Sequence, residues 1–345
     1  MIYIFLYLIV FFLNIIYLKT KKNIYIKLIF IILTLFSGFR HNIGADFKSY
    51  ERIFFYIEND ISNYEVLRLE KGYLYLIELV NFINGKQQLV FLLMAIISNY
   101  FIYRFIIENS KDKFMSINIF FMIGAYYSSG FNGIRQYFAI AIFIYSIKYI
   151  KKKEMLKYFI FILIGSLFHK TCILLSSLYF ILRQRYSFKS QVFILILSIF
   201  LNNNIDKILR LTGYDVYNER VFRANISFIV LFFLGILAIF IYILNINKNI
   251  LDQVDININF LTILGVLLIF INELKKPEIN QIFVRMISYF FFVYIYLITE
   301  LLNNLVKKNQ RVILKGIFLL IITILYLKTF LLELPSYNYN IELFK

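Results

Sequence analysis

One cysteine, Cys172, stands among 345 residues. That leaves no intramolecular disulfide framework, and no Cys/His spacing fits a zinc site. Tryptophan is missing altogether, and there are only 2 Pro and 12 Gly, which excludes collagen-like repeats and Gly-rich nucleotide-binding modules. Charge is scarce as well. Charged residues make up 17% of the chain, against about 25% in a soluble globular domain. No Walker A, GxGxxG, HExxH or Asp-x-Asp motif occurs, and Asp252 and Asp255 have the wrong spacing for the last.

What is there is apolar and aromatic. Hydrophobic residues are 61% of the chain, with 40 Phe and 28 Tyr, and mean hydropathy is +0.74. This is more apolar surface than a single core buries, so the chain belongs in a bilayer. Hydrophobic runs predict an all-α, polytopic membrane protein of about twelve spans, near 2–18, 24–39, 89–107, 114–129, 133–150, 156–168, 171–182, 190–203, 226–245, 258–272, 282–302 and 312–331. The first run has no basic n-region or small-residue cleavage site and reads as a retained span. No internal repeat or linker divides the chain, so residues 1–345 read as a single membrane domain with two larger extracytoplasmic loops, 40–88 and 202–225.

The formal charge of +17 invites a nucleic-acid reading, but too few polar residues surround the basic ones for that. The basic residues instead set orientation, since Lys and Arg gather on the cytoplasmic side. Clusters at Lys19–Lys27, Lys151–Lys157, Arg183–Lys189 and Lys307–Arg311 all fall inside if Gly72–Asn84 is an interfacial or re-entrant helix rather than a span. Both termini then lie outside. On that topology Arg40, Arg52, Arg68, Arg135, Arg210, Arg220, Arg223 and Arg285 also face outward, against the usual bias.

Several of these outward residues stand in distinctive surroundings. Arg40 ends the second span and is followed by His41, Gly44, Asp46 and Tyr50; taken alone it also reads as an arginine snorkelling at a helix end. Asn132-Gly133-Ile134-Arg135-Gln136 opens another span, with Asn132 as the expected N-cap. Arg135 in that first turn opposes the helix dipole, a conflict that a bound anion resolves; a tilted helix with a snorkelling arginine is the equal alternative. His169, one of 2 His, sits in Phe168-His169-Lys170 at the expected outer apex of a short hairpin. Arg285 enters the 282–302 span with Tyr289 one turn later. Outward arginines beside lipid suit an activated substrate that is both anionic and lipid-linked: a polyprenyl diphosphate carrying a sugar.

The order Arg40–Gly44–Asp46–Tyr50, then Asn132-Gly133-Ile134-Arg135-Gln136, then Phe168-His169-Lys170, then Arg285 and Tyr289 resembles the EpsG family of Wzy-like polysaccharide polymerases, over roughly residues 30–300. The resemblance implies a glycosyltransferase of the bacterial cytoplasmic membrane with an outward-facing site, active in exopolysaccharide, capsule or O-antigen pathways. It would move a growing glycan from undecaprenyl diphosphate onto another lipid-linked repeat unit. Arg40, Arg135 and Arg285 are then expected to hold the diphosphate, and His169 or Asp46 to act as base. Tyr50, Gln136, Tyr289, Arg220 and Arg223 are expected to bind the sugar or to support the site. No cofactor or metal is expected; the partners are lipid-linked oligosaccharide units and membrane lipid, with a flippase and a chain-length regulator alongside. Competing readings are a flippase for the same lipid-linked sugars and a membrane O-acyltransferase built around His169.

Overall fold

A computed structural model describes residues 2–124, 126–204, 228–249, 251–275, 280–305 and 307–331. Arg220 and Arg223, with nearly all of the 202–225 loop, lie outside the described residues. All regular structure among the described residues is helical, in two compact units.

The first unit comprises Met1–Ile147, Leu156–Leu174 and Tyr294–Lys345. Its helices are α1 (Ile2–Thr20), α2 (Asn23–Gly38), α3 (Phe47–Glu58), α4 (Tyr64–Leu67), α5 (Lys71–Phe82), α6 (Gln87–Asn109), α7 (Lys113–Met122), most of α8 (Ile134–Lys151) and α9 (Met155–Ser166). Two more helices of the first unit, which follow α14 in the chain, are α15 (Tyr294–Leu305) and α16 (Lys308–Leu331). The helices in the middle of this unit are buried on every side. All residues from Met115 to Met122 in α7 and from Tyr294 to Leu302 in α15 are buried, as is the Phe138–Ile144 stretch of α8. A helix hydrophobic all round belongs at the centre of a bundle. α1 is the opposite case. Tyr3, Leu6, Val10, Asn14 and Tyr17 form one buried stripe, while Phe5 and Phe12 on the far side are 64% and 63% exposed. α16 likewise exposes Val312, Ile313, Ile317 and Leu320. Apolar surface of this extent is what lipid covers. Polar contacts tie one end of the bundle: Lys111 to Glu300 at 3.2 Å, Lys315 to Asp112 at 2.5 Å, and the Ser116 hydroxyl donating to the Ile295 carbonyl at 3.1 Å.

The second unit, Lys148–Met155 and Leu175–Val293, holds α10 (Leu178–Ile181), α11 (Phe188–Asn203), α12 (Phe228–Lys248), α13 (Gln253–Lys275) and α14 (Asn280–Phe291). α13 packs against α11, α12 and α14. Buried amides lock it: Asn202 and Asn272 exchange hydrogen bonds of 2.8 and 2.9 Å, and Asn257 donates to the carbonyls of Leu182 and Gln184. Side-chain amides bridging helices are the glue expected where the surroundings are apolar. The Lys151 ammonium completes the unit between Asp252 and Asp255, at 2.8 and 2.9 Å.

Among the described residues, four helices are long and apolar enough to cross a membrane: Ile2–Thr20, Gln87–Asn109, Gln253–Glu273 and Asn309–Phe330. A fifth arises if α14 and α15 make one broken span. Three of the expected spans are not continuous helices. The 114–129 run is α7 followed by a 3-10 helix at Tyr127–Phe131, and 282–302 is split at residues 292–293. The 171–182 run is a 3-10 helix, Lys170–Ser177, that passes into the single turn of α10. Hydropathy counts apolar residues and is blind to the backbone changing its winding within a run. The 40–88 region holds the expected helix as α5, together with α3, which was not expected.

Candidate functional site

The site is assembled within the first unit by loop 39–46, α3, α5, the start of α8 and the turn at 167–170. A clasp fixes the loop to α8. The Ala45 N–H donates to the Asn132 side-chain oxygen at 2.7 Å, and the Gly133 N–H donates to Asp46 Oδ2 at 3.0 Å. Asn132 is expected as the helix cap, but α8 begins at Ile134, one residue further on, and the Asn132 side chain holds the loop. Gly44 makes the approach possible: its φ is +96°, and a Cβ there would press on the Phe131 carbonyl and lie 2.9 Å from Asn132 Oδ1. Only glycine takes that backbone without strain and leaves that room.

From this clasp the chain turns into α3, whose Phe47, Tyr50, Ile53 and Phe54 recur at helical spacing and are all buried. They join a cluster with Tyr73, Ile77, Phe91, Ile134 and Phe138. α5 is held to the 167–170 turn by backbone: the Gly72 N–H donates to the Leu167 carbonyl at 2.8 Å. The turn itself follows from α9 ending at Ser166, with the His169 N–H closing on the Gly165 carbonyl at 3.0 Å. This is the break expected around His169.

Glu70 stands at the centre. It precedes α5, and its side chain is 9% exposed. One oxygen, Oε2, is paired with Arg135 Nη1. The other, Oε1, accepts from the Lys170 N–H at 3.3 Å and lies 3.8 Å from His169 Nδ1. Arg135 is the more open partner, its side chain 26% exposed, and its Nε makes no hydrogen bond among the described residues. The Tyr50 hydroxyl accepts from the Arg135 guanidinium and from the Ile134 N–H. Tyr73 faces the same guanidinium at 5.7 Å from ring centroid and the Tyr50 ring at 5.9 Å. Burial pushes both phenols above their ordinary pKa, while Arg135 pulls each back.

Arg40 is placed behind the tyrosines. It is 2% exposed, donates to the Ser37 carbonyl at 2.6 Å, and stacks its guanidinium over Phe91 at 4.5 Å and Phe131 at 5.6 Å. Its charge still reaches Tyr73. It borders a pocket shared with Ser98, Asn99, Tyr127 and Tyr137. Gln136 lies half-buried in the first turn of α8. Arg285 and Tyr289 lie on α14 in the second unit, the first half-buried and the second fully buried.

The structure therefore brings the segment carrying Arg40, Asp46 and Tyr50 together with Arg135 and His169, which are far from it in sequence. Glu70 and Tyr73 are the members that the sequence did not single out. Their only mark is the short run Glu70-Lys71-Gly72-Tyr73, where Gly72 permits the close approach of Leu167. Among the described residues no three His, Cys, Asp or Glu side chains converge as metal ligands do. Neither the curated proteins nor the solved structures provide a match to this chain. The EpsG family matches residues 23–341, nearly the whole length. With apolar helices of membrane-spanning length and this match, the chain is a membrane protein of the EpsG family, polysaccharide polymerase-like proteins with a general role in exopolysaccharide biosynthesis.

Proposed function

We propose that the protein is a polysaccharide polymerase that joins lipid-linked repeat units at the outer face of the bacterial cytoplasmic membrane. The observation that carries this reading is the meeting of Arg135 and His169 on Glu70, an anion-binding group and a base about a single carboxylate. The donor is a glycan on undecaprenyl diphosphate, and the acceptor is a hydroxyl of a second unit. His169 takes the acceptor proton as the oxygen bonds to the anomeric carbon. The bond from that carbon to the diphosphate breaks, and its electron pair leaves on the phosphate oxygen.

Arg135, permanently charged and partly open, grips the departing diphosphate. Arg40 adds positive potential from behind Tyr50 and Tyr73. The family resemblance assigns Arg285 to the diphosphate, and Gln136 and Tyr289 to the sugar or a supporting role. Asp46 is assigned to the clasp, since its Oδ2 already accepts from Gly133. Diphosphate leaves readily, so the arginines suffice without a metal or a dedicated acid. A flippase would supply the units, and a chain-length regulator would set when extension stops.

The test is the full-length protein in liposomes, supplied with purified lipid-linked repeat units and assayed for polymer on a gel. The wild type is expected to build a ladder. Arg135→Ala and His169→Ala are expected to lose it, by about 10²–10⁴-fold for the base. Units that cross the bilayer without any new glycosidic bond would make the protein a flippase instead.

A further inference from the structure

We infer that Glu70 is a positioning residue that links occupation of the diphosphate site to the readiness of His169. In the structure its carboxylate is divided. Oε2 is committed to Arg135, while Oε1 stands 3.8 Å from His169 Nδ1, beyond hydrogen-bond length. Glu70 is nine-tenths buried, so its charge is poorly screened and its two neighbours compete for it. A diphosphate arriving at Arg135 brings more negative charge than one carboxylate and offers oxygens that suit the guanidinium fork. Arg135 turns toward it, and Glu70 closes the remaining gap to His169.

An imidazole held by a carboxylate at Nδ1 is fixed in orientation and made more basic at Nε2, the nitrogen that takes the acceptor proton. Other charged groups stand on the tyrosine side of the site: Arg135 and Asp46 act on Tyr50, and Arg135 and Arg40 act on Tyr73, both neutral phenols. The Lys170 backbone N–H holds Oε1 beside the imidazole in either state. The base is thus poised only when the donor is present. For its substrate this inference rests on the polymerase reading; its test does not.

With only two histidines in the chain, the His41→Gln protein in nanodiscs gives a single imidazole NMR signal, that of His169. In this protein, inorganic pyrophosphate is expected to raise the imidazole pKa. Replacing Glu70 by Gln should lower that pKa by roughly one pH unit. The same Glu70→Gln change removes the competitor for Arg135, so pyrophosphate should bind several-fold more tightly while polymer turnover falls. A purely structural role predicts the reverse for the anion: weaker binding, because Arg135 is no longer positioned. Glu70→Asp, which keeps the charge, should restore part of the imidazole shift. An imidazole that ignores pyrophosphate in the Glu70 protein, or weaker pyrophosphate binding in Glu70→Gln, overturns the link. If the imidazole and binding results appear but wild-type protein makes no polymer, the link stands and the polymerase reading falls.

Discussion

Gly72→Ala tests whether the geometry of the 167–170 turn governs activity. A Cβ at position 72 would lie 2.8 Å from both Leu167 Cβ and the Leu167 carbonyl oxygen, and 3.0 Å from Phe168 Cε2. Carbon atoms prefer about 3.5–4.0 Å, so two backbones now joined by a hydrogen bond must part by roughly 0.7 Å or more. Glu70 is two residues before the intrusion and His169 two residues after Leu167, so the displacement falls on the 3.8 Å gap between them. Overpacking of this kind costs about 1–3 kcal/mol of stability, and misplacing a catalytic group by ~1 Å costs about 10²-fold in rate. The expected result is a folded, mildly destabilised protein with polymer formation reduced about a hundredfold. Gly316→Ala is the control, because a Cβ there meets nothing within 4 Å; in a helix it should be neutral or stabilise by up to about 1 kcal/mol. Thermal unfolding in nanodiscs reads the stability, and the liposome polymer assay reads the rate. Wild-type turnover in Gly72→Ala would refute the claim that this turn sets the site.

Four further outcomes are expected. Asp46→Asn keeps an acceptor for the Gly133 N–H and should lose less than about tenfold, while His169→Asn should lose about 10²–10⁴-fold; the opposite ranking in the polymer assay makes Asp46 the base. Arg135→Lys keeps the charge but not the fork, and a loss of roughly ten- to hundredfold in kcat/KM is expected, with equal activity arguing for a point-charge contact alone. Lys151→Met strands the buried Asp255 beside Asp252 and should destabilise the second unit by about 3–5 kcal/mol, read as a lowered Tm. The Glu70→Leu, Arg135→Met double variant should keep or raise Tm, as replacing a buried ion pair by apolar side chains is often neutral or stabilising by about 1–4 kcal/mol, and it should form no polymer.

The candidate residues stand out in the sequence as exceptions. In a chain so apolar, Arg40, Arg135 and His169 interrupt long hydrophobic runs, and each interruption is visible because burying a charge needs a reason. Glu70 was invisible for the converse reason. It lies among Arg68, Lys71 and Glu78 in a stretch that reads as an ordinary polar loop, and periodicity does not tell a buried carboxylate from a solvated one. α3 was hidden in the same stretch, although Phe47, Tyr50, Ile53 and Phe54 carry the helical spacing; a buried face of four residues is short beside the spans around it. The 3-10 winding at Tyr127–Phe131 and Lys170–Ser177 left no compositional trace. Both segments adjoin the site, one leading to Asn132 and the other beginning at Lys170.

The placement of the Glu70–Arg135 pair separates fold from function more sharply than any motif does. Taking two charges out of water costs several kcal/mol each, and their attraction repays this only when every remaining donor and acceptor is also satisfied. Glu70 comes close to that condition, with Arg135, the Lys170 N–H and the His169 ring around it. Arg135 does not, because its Nε has no hydrogen bond among the described residues. Packing alone would be served as well by two apolar side chains against Tyr50, Tyr73 and Phe138, whose rings already fill the cluster. The Lys151 triad shows how this chain satisfies a structural charge, with two carboxylates on one ammonium. At Arg135 the cation is about a quarter exposed and its donor capacity is only partly used. An ion pair built for stability alone would be closed; this openness is what the proposed exchange with an incoming anion requires.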